Sequence, residues 1–457
     1  MVDLKTLQAG GLVLSPNGAS RYVGKKDQTY FGYIAEDGNA IAAQYDHIHR
    51  NLTTATLGKV FGSGDDHAVP AVIVLDDGNI MFFYGGDYSV QIYSRTTTTP
   101  EDVTTLGPPV LVTTGRTLPV FPHPHYNGAG IIVLFFRYLG YIVGQGPQYP
   151  DTQHIWWCKV SKDNGATWGA EFEVYEYVDG SFQVYIQGSP RYDCNEPTIS
   201  DLTLCGHTMA AAHDHTVYYA GRLEMTDADH IYIKSPTGTI LMDLNAPSTT
   251  IKPSQLTKIY DWTINGEKGW VYDIHSTSST YIYCLYVTTN NDWFDQKICY
   301  ARFNPTTNQF DIKSVIGEIH NNPEGGADPN SYILTADGCI LYGTADDIVI
   351  PVATTDVLLG WQLVEYLSTD GGTTWNSTPI TESPPVTNIM PVAVYNPHPK
   401  MRFLWNNILS WVFYSDWVSN VMIVDDAPPI PPAAETEEIT VTFSANQNLT
   451  IPIGWNA

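Results

Sequence analysis

The chain has 457 residues, 43% of them hydrophobic and 15% charged, with 48 acidic against 22 basic residues and a net charge of −26. That balance offers no basic footprint for nucleic acid, and no run of about 18 apolar residues is present to cross a membrane. Charge is sparse beside the roughly 25% usual in soluble domains, whereas 29 Tyr and 12 Trp favour strands and stack on sugar rings, a composition that reads as extracellular and all-β.

The opening stretch, MVDLKTLQAGGLVLSPNG, lacks the basic start and apolar core of a secretory signal. Strand–turn–strand patterns follow in TYFGYIAEDGNAIAAQYD, AVPAVIVLDDGNIMFFYGG, GAGIIVLFFRYLG, STYIYCLYVTT and SYILTADGCILYGTA. The turns EDGN, DDGN and ADG, flanked by β-branched and aromatic residues, are hairpin signals. They return every roughly 50 to 60 residues, the spacing of four-stranded propeller blades. The spacing predicts a seven-bladed β-propeller with blades centred near residues 30, 80, 150, 210, 285, 345 and 400. The last, around MPVAVYNPHPKMRFLWNNILSWVFYSDW, closes the ring with the N-terminal strand.

Two segments share the pattern S-x-D-x-G-x-T-W: Ser161, Asp163, Gly165 and Trp168 in one, Ser368, Asp370, Gly372 and Trp375 in the other. Ser and Asp side chains can bond the N–H groups of a tight turn, Gly supplies a positive φ, and Trp packs beneath. Beyond residue 424 the composition changes. Residues 425–438 are a proline-rich acidic linker and 439–457 a β-hairpin tail, leaving 1–424 as the propeller. A lone hairpin is marginally stable, so the tail is expected to dock on the propeller or on another chain. The six Cys (158, 194, 205, 284, 299, 339) fit no zinc spacing. Cys284 and Cys299 end adjacent predicted strands, as a disulfide or as two buried thiols.

The repeated S-x-D-x-G-x-T-W segments are those of Asp-box, or BNR-repeat, sialidase-like propellers. In segment order the chain resembles the branch of that family that includes the ulvan-type polysaccharide lyases. The matching stretches are FGYIAEDGNAIAAQYD, GSGDDHAVPAVIVLDDGNIMFFY, SKDNGATW, SQLTKIYDW, KGWVYDIHS, KICYARFN and LSTDGGTTWNSTPIT, spanning roughly residues 12 to 424. The more specific phrases are D-D-H-x-x-P-A from Asp65 to Ala71 and W-x-x-D from Trp270 to Asp273. The resemblance implies a propeller that handles carbohydrate, and Asp boxes that clasp the outer part of a blade. It also implies β-elimination at a uronate: His or Arg binds the carboxylate, a Tyr or His takes the C5 proton, and an acid protonates the leaving oxygen. His67 matches a functional His of those enzymes. They carry a second His about one strand further on, where this chain has Asp87 and Tyr88.

The candidate catalytic set is therefore His67, Tyr192, Arg222 and Arg137. Arg137 is a lone charge in the apolar strand LFFRYLG, read as a channel residue or as an ion pair between blades. Tyr192 with Arg222 is the preferred pair from the segment 185–222, and Tyr185 with Arg191 the substitute. Candidate substrate-binding residues are Asp87, Tyr88, His123, His125, Tyr185, His213 and His275. His123 and His125 share one face of an extended segment, as sugar-lining residues or as exposed loop residues. His213-Asp-His215, with His207 nearby, could hold a structural divalent metal, but no further ligand has diagnostic spacing; no cofactor is expected.

Other chemistries find little footing. A sialidase needs three arginines and a Tyr–Glu pair, and no Arg-Ile-Pro phrase occurs. Motifs of serine hydrolases, nucleotide-binding loops and zincins are absent. A glycoside hydrolase would need two convergent carboxylates, for which Asp65, Asp66 and Asp87 are the candidates. Two readings stand: a polysaccharide lyase, and a non-catalytic glycan-binding propeller such as a virion adhesin. Both place the protein outside the cell or on a virion surface, with a polysaccharide or surface glycan as partner.

Overall fold

The computed structural model describes residues 11–12, 19–49, 51–59, 69–85, 91–114, 119–138, 155–175, 184–185, 192–193, 196–206, 216–277, 281–290, 295–304, 306–320, 337–343, 346–356, 360–381, 387–398, 401–412, 416–424 and 438–440. These residues form six antiparallel-built sheets, with one four-residue helix, Trp262–Asn265, between them. The largest sheet holds two units, joined by a parallel pairing of Ser20 with Tyr395. Taken in chain order the sheets make seven up-and-down units.

The first strands of the units are Ala19–Val23, Ala71–Val74, Pro119–Tyr126, the interrupted pair Val184–Tyr185 and Tyr192–Asp193, Lys268–Thr277, the interrupted pair Asp337–Gly338 and Tyr342–Gly343, and Thr387–His398. Each pairs with the next strand in sequence, so side chains alternate between two faces and both must be covered. Neighbouring units provide the cover. Tyr30 and Ile34 of unit one pack with Val72 and Phe82 of unit two. Met81 and Phe83 of unit two meet Ile132 and Phe136 of unit three, and Phe135 and Trp156 of unit three meet Leu223 and Ile233 of unit four. Val217 and Tyr219 then join Val271 and Ile282 of unit five. A single cluster links Tyr283 and Tyr300 to Ile348 and Trp361 of unit six and to Phe403 and Trp405 of unit seven. The last apolar contact returns to the start, with Val392 and Leu404 of unit seven against Phe31 and Tyr33 of unit one. Each fully buried side chain of this kind contributes about 1.5–3 kcal/mol, and every unit draws it from a neighbour.

The S-x-D-x-G-x-T-W segments are the hairpins between the third and fourth strands of units three and six. Their hydrogen bonds coincide. Ser161 Oγ accepts from Gly165 N–H and donates to Asp163 Oδ1, both at 2.8 Å, and Ser368 does the same with Gly372 and Asp370 at 2.8 Å. The Trp of each turn packs on the preceding unit, Trp168 edge-on to Phe83 at 5.9 Å and Trp375 edge-on to Tyr300 at 5.1 Å.

Gly38 and Gly78 take positive φ in the EDGN and DDGN turns. The ADG turn is not observed: Asp337 and Gly338 lie in a strand, opposite Ala353 and Val352. Gly338 is there for space, since a Cβ would sit 2.8 Å from Leu285 Cδ2 and 2.9 Å from the Pro351 carbonyl. Cys284 and Cys299 are buried and outside any disulfide, as are Cys158 and Cys339. Where the proposed linker meets the tail, Glu438–Thr440 pairs with Asp416–Val424 as an outer strand of unit seven. No helix among the described residues is long and apolar enough to cross a membrane.

Candidate functional site

First strands of successive units lie against one another, from Ala19–Val23 through Ala71–Val74 and Pro119–Tyr126 to Thr387–His398 and back. Unit three reaches unit four through that unit's longer strand, Glu196–Gly206. Because strands alternate in direction, the end at which a first strand begins is also where the second strand hands over to the third. Of the candidate residues in described strands, Arg137 and Tyr185 stand at this leading end.

His67 falls in the connection before Ala71–Val74, Asp87 and Tyr88 between the second and third strands of unit two, and His213 between Glu196–Gly206 and Val217–Asp227. All four, with His207, His215, Asp65, Asp66 and Arg191, lie outside the described residues. Arg137 is the penultimate residue of the second strand of unit three, opposite Val120 and Trp156, and so stands at the leading end. Tyr185 pairs with Cys205 at the corresponding end of unit four. Tyr192 sits further along, in one row with Ser200 and Leu223, while Arg222 occupies the adjacent row with Asp201 and Lys234.

The two histidines of PHPHY do share a face of a strand, but it is the face turned into the apolar contact with unit four. His123 is 4% exposed with its ring 5.1 Å from that of Trp156, and His125 is fully buried, edge-on to Phe135 at 5.5 Å. Burial pushes the His125 pKa well below the usual imidazole range, with the neighbouring His123 adding to the effect. Buried to this degree, neither side chain is an exposed loop residue. His275, half-buried, lies near the opposite end of unit five, opposite Tyr283, with the two rings stacked at 6.4 Å.

Asp273, from the W-x-x-D phrase, is 2% exposed and accepts from Ile274 N–H at 2.9 Å and Ile340 N–H at 2.7 Å, tying unit five to unit six. Further round, a buried polar chain joins units six and seven near the leading end. Asn388 Oδ1 accepts from Trp405 Nε1 at 3.1 Å and Asn407 Nδ2 at 2.9 Å, and Asn388 Nδ2 donates to Gln362 Oε1 at 3.3 Å.

Sequence reading passed over two features of unit five. One is a cavity of about 310 Å³ lined by Tyr260, Glu267, Tyr286, Thr288, Lys297 and Lys313 among others. In it, Glu267 accepts from Lys297 Nζ at 2.5 Å and from Thr288 Oγ1 at 2.8 Å. Those bonds outweigh partial burial and hold the carboxyl below its ordinary range. The other is Lys268, 5% exposed at the head of the first strand, whose pKa burial lowers. The only signal for it in sequence is a charge directly preceding GW at a strand start. Among the described residues no group of three or more His, Cys, Asp or Glu is placed to hold a metal ion.

Comparison with known proteins places this geometry. A family model described as BNR repeat-containing family member matches residues 28–299. No curated protein sequence matches. Among solved structures, an ulvan lyase from a new family of polysaccharide lyase shares 13% identity over 92% of this chain and 95% of that chain, with a TM-score of 0.65. An ulvan lyase of the same description, bound to a repeat of GlcA (1-4)-linked to sulfated rhamnose, gives 14% identity, the same coverages of 92% and 95%, and a TM-score of 0.63. A further polysaccharide lyase crystal structure gives 12% identity, 93% of each chain and a TM-score of 0.57. At such identities the likeness is one of fold.

Proposed function

We propose that this chain, which belongs to the BNR repeat-containing family, is a seven-bladed β-propeller that acts as a polysaccharide lyase on a uronate-containing polymer. The observation that carries the reading is the end-to-end correspondence with ulvan lyases, one of them holding a glucuronate-bearing fragment. The seven units, whose apolar contacts return from the last to the first, are the blades. Their leading end is the face that takes the polymer.

In this reading His67 and either Arg137 or Arg222 hold the uronate carboxylate, so that charge developing at C5 is delocalised onto a neutralised acid group. Tyr185 or Tyr192 takes the C5 proton, the bond from C4 to the glycosidic oxygen breaks, and the same or a facing hydroxyl protonates that oxygen. The products are a new reducing end, which keeps the glycosidic oxygen, and a 4,5-unsaturated uronate, so the step balances as an elimination. The protein works outside the cell or on a virion surface, with the acidic body of the chain shared by both settings.

A second reading, a glycan-binding propeller without catalysis, is favoured by one feature: Asp87 and Tyr88 stand where the resembling lyases have their second His. The test separates the two. Absorbance of the unsaturated uronate is followed while the protein is incubated with a panel of uronate polysaccharides. A rise that is lost in His67→Ala supports the lyase. Binding to a panel member with a flat trace moves the assignment to the adhesin, and neither binding nor absorbance leaves carbohydrate action without support.

A further inference from the structure

Units four and five are joined by a connection outside the four-strand plan. Strand Thr257–Tyr260 pairs with Val217, Tyr218 and Tyr219 of unit four, and the helix Trp262–Asn265 follows it. The connection is tied down at both ends of that helix. Asp261 accepts from Thr263 N–H at 3.1 Å and from Lys258 Nζ at 2.6 Å. Gly266, at φ +79°, donates its N–H to the Trp262 carbonyl at 2.8 Å, and the Tyr260 hydroxyl donates to the Glu267 carbonyl at 3.0 Å.

Between this connection and the outer strands of unit five lies the cavity of about 310 Å³. Tyr260 and Asn265 line it from the connection, and Thr288, Lys297, Lys313 and Val315 from unit five. Its size is at the small end of small-molecule sites, which run from roughly 300 to 1,000 Å³, and gives room for a single ring rather than a chain. Its described lining includes none of the candidate catalytic or substrate-binding residues. Thr288 and Lys297 pair in the row next to Thr289 and Gln296, which stand at the leading end. A polymer lying across that face therefore reaches the cavity at the outer edge of the seam between units four and five.

The lining is amphipathic in the way that a sugar ring is. Glu267 accepts from Lys297 and Thr288, so that a carboxylate and an ammonium face the cavity side by side. An ammonium carries three N–H donors and a carboxylate about four acceptor positions, so the pair has capacity beyond its own bond. Lys313, whose Nζ donates to the Ile259 carbonyl at 2.6 Å, brings a second ammonium. Neighbouring hydroxyls of a pyranose need donor and acceptor together in this way. The rings of Tyr260 and Tyr286, 5.8 Å apart and inclined at 40°, and the 49% exposed Val315 give apolar surface for its C–H faces. With one carboxylate against two ammonium groups, the cavity is locally positive on a chain of net charge −26, so it admits an acidic sugar as well as a neutral one.

We infer that this cavity is an auxiliary binding site for one pyranose residue of the polysaccharide, held through its hydroxyls by Glu267, Lys297 and Lys313. The inference rests on the carbohydrate reading above for the class of ligand and adds a contact that the reading does not contain.

The test uses the full chain, as wild type and as Val315→Trp, whose ring fills the cavity from an exposed strand position and removes no side-chain hydrogen bond. Saturation-transfer NMR is recorded with the methyl glycosides of glucose, galactose, mannose, xylose, rhamnose and glucuronic acid at millimolar concentration. Wild type should bind at least one of them. The affinity should fall about tenfold or more in Val315→Trp and in Glu267→Gln, and should survive in His67→Ala. Thermal melts establish that each variant is folded, and Glu267→Gln decides alone where Val315→Trp is not.

A glycoside bound by folded Val315→Trp as tightly as by wild type overturns the site. So does one lost in His67→Ala and kept in the two cavity variants, which places the ring at the leading end instead. Wild type that binds none of the glycosides overturns the site alone when the polymer panel above still gives binding or absorbance. A blank in both experiments overturns the carbohydrate reading with it.

Discussion

The carboxylate of Asp273 accepts the backbone N–H of Ile340 at 2.7 Å, across the boundary between the fifth and sixth units. Both residues are buried, at 2% and 0% exposure, so water cannot stand in for the bond. The acid does by one side chain what a sheet does by a ladder: it fixes the height of one first strand against the next. Asp273→Ala should therefore destabilise the protein by about 1.5–3 kcal/mol, the range for a hydrogen bond to a charged group whose loss orphans a buried donor. Asp273→Asn, which keeps an oxygen, should lose less. Urea unfolding checks this as a lowered midpoint with unchanged slope; an unchanged midpoint for the Ala variant would mean that Ile340 finds another acceptor.

The S-x-D-x-G-x-T-W turn of unit six, set beside the turn at Gly238 in unit four, gives a sharper test of how units dock. Gly372 has φ +93°, and a Cβ there would overlap the Tyr300 ring of the preceding unit, whereas Gly238 has φ +84° with nothing within 4 Å. Ala at Gly238 should cost only the left-handed backbone penalty, about 1–2 kcal/mol. Ala at Gly372 should cost that and about 1–3 kcal/mol of overpacking besides. Equal midpoints for the two variants would show that the Tyr300 contact yields freely.

Much of the fold was legible from local pattern, and its failures have a common cause. Period-two alternation and the Gly-centred turns at Gly38 and Gly78 depend only on neighbours in sequence, and all-β structure follows from them. The D-G of Asp337 and Gly338 looks the same locally, yet the glycine answers to Leu285, some fifty residues away in sequence, in another unit. His123 and His125 fall on one face as alternation requires, but which face is buried is decided by unit four. Lys268 was missed for the converse reason, since a lone Lys at a strand start says nothing of whether its neighbours will bury it. Of the candidate site, only the residues in described strands can be followed into the fold. Arg137 and Tyr185 stand at the leading end, while His67, Asp87, Tyr88 and His213 lie outside the described residues.

Acid sensitivity should centre on the seam between the first and last units. The rings of His47 and His398 stack there at 4.0 Å and 9°, with Thr29 Oγ1 2.8 Å from His47 Nε2. Asp27, which is bonded to Arg21 at 2.7 and 2.9 Å, lies 3.8 Å from His398, and Asp46 flanks His47 in sequence. Burial, and then the second imidazole, lower the His47 pKa to about 4. The folded state thus keeps this ring neutral at pH values where the unfolded chain, near 6.5, binds a proton. Stability contributed by His47 is full above about pH 6.5 and declines as pH falls from there to about 4. The loss should be about 1–2 kcal/mol once part-exposure is allowed for. Asp27, whose pKa is lowered chiefly by the Arg21 hydrogen bond, loses its contribution only at still lower pH. His47→Gln should flatten the melting-temperature profile between pH 6.5 and 4 while leaving the more acid limb. A profile unchanged by that substitution would place the sensitivity elsewhere.

The buried thiols make the last prediction. Cys284 and Cys299 sit on paired strands, opposite Ala301 and Tyr286, within the apolar contact between units four and five. Burial pushes the Cys299 pKa up to about 12. At neutral pH almost none of it is thiolate, which is the form that attacks an alkylating reagent or a disulfide. Iodoacetamide should therefore leave both residues unmodified in the native protein and label both once it is unfolded in urea. The protein unfolded without a reductant should label at both positions, because no bond joins the two. Labelling of Cys299 in the native state at the rate of a free thiol would mean that the boundary between units four and five opens far more often than its packing allows. Failure of Cys284 and Cys299 to label in urea until a reductant is added would mean that the pair is oxidised, and that a cross-link joins two neighbouring strands of unit five.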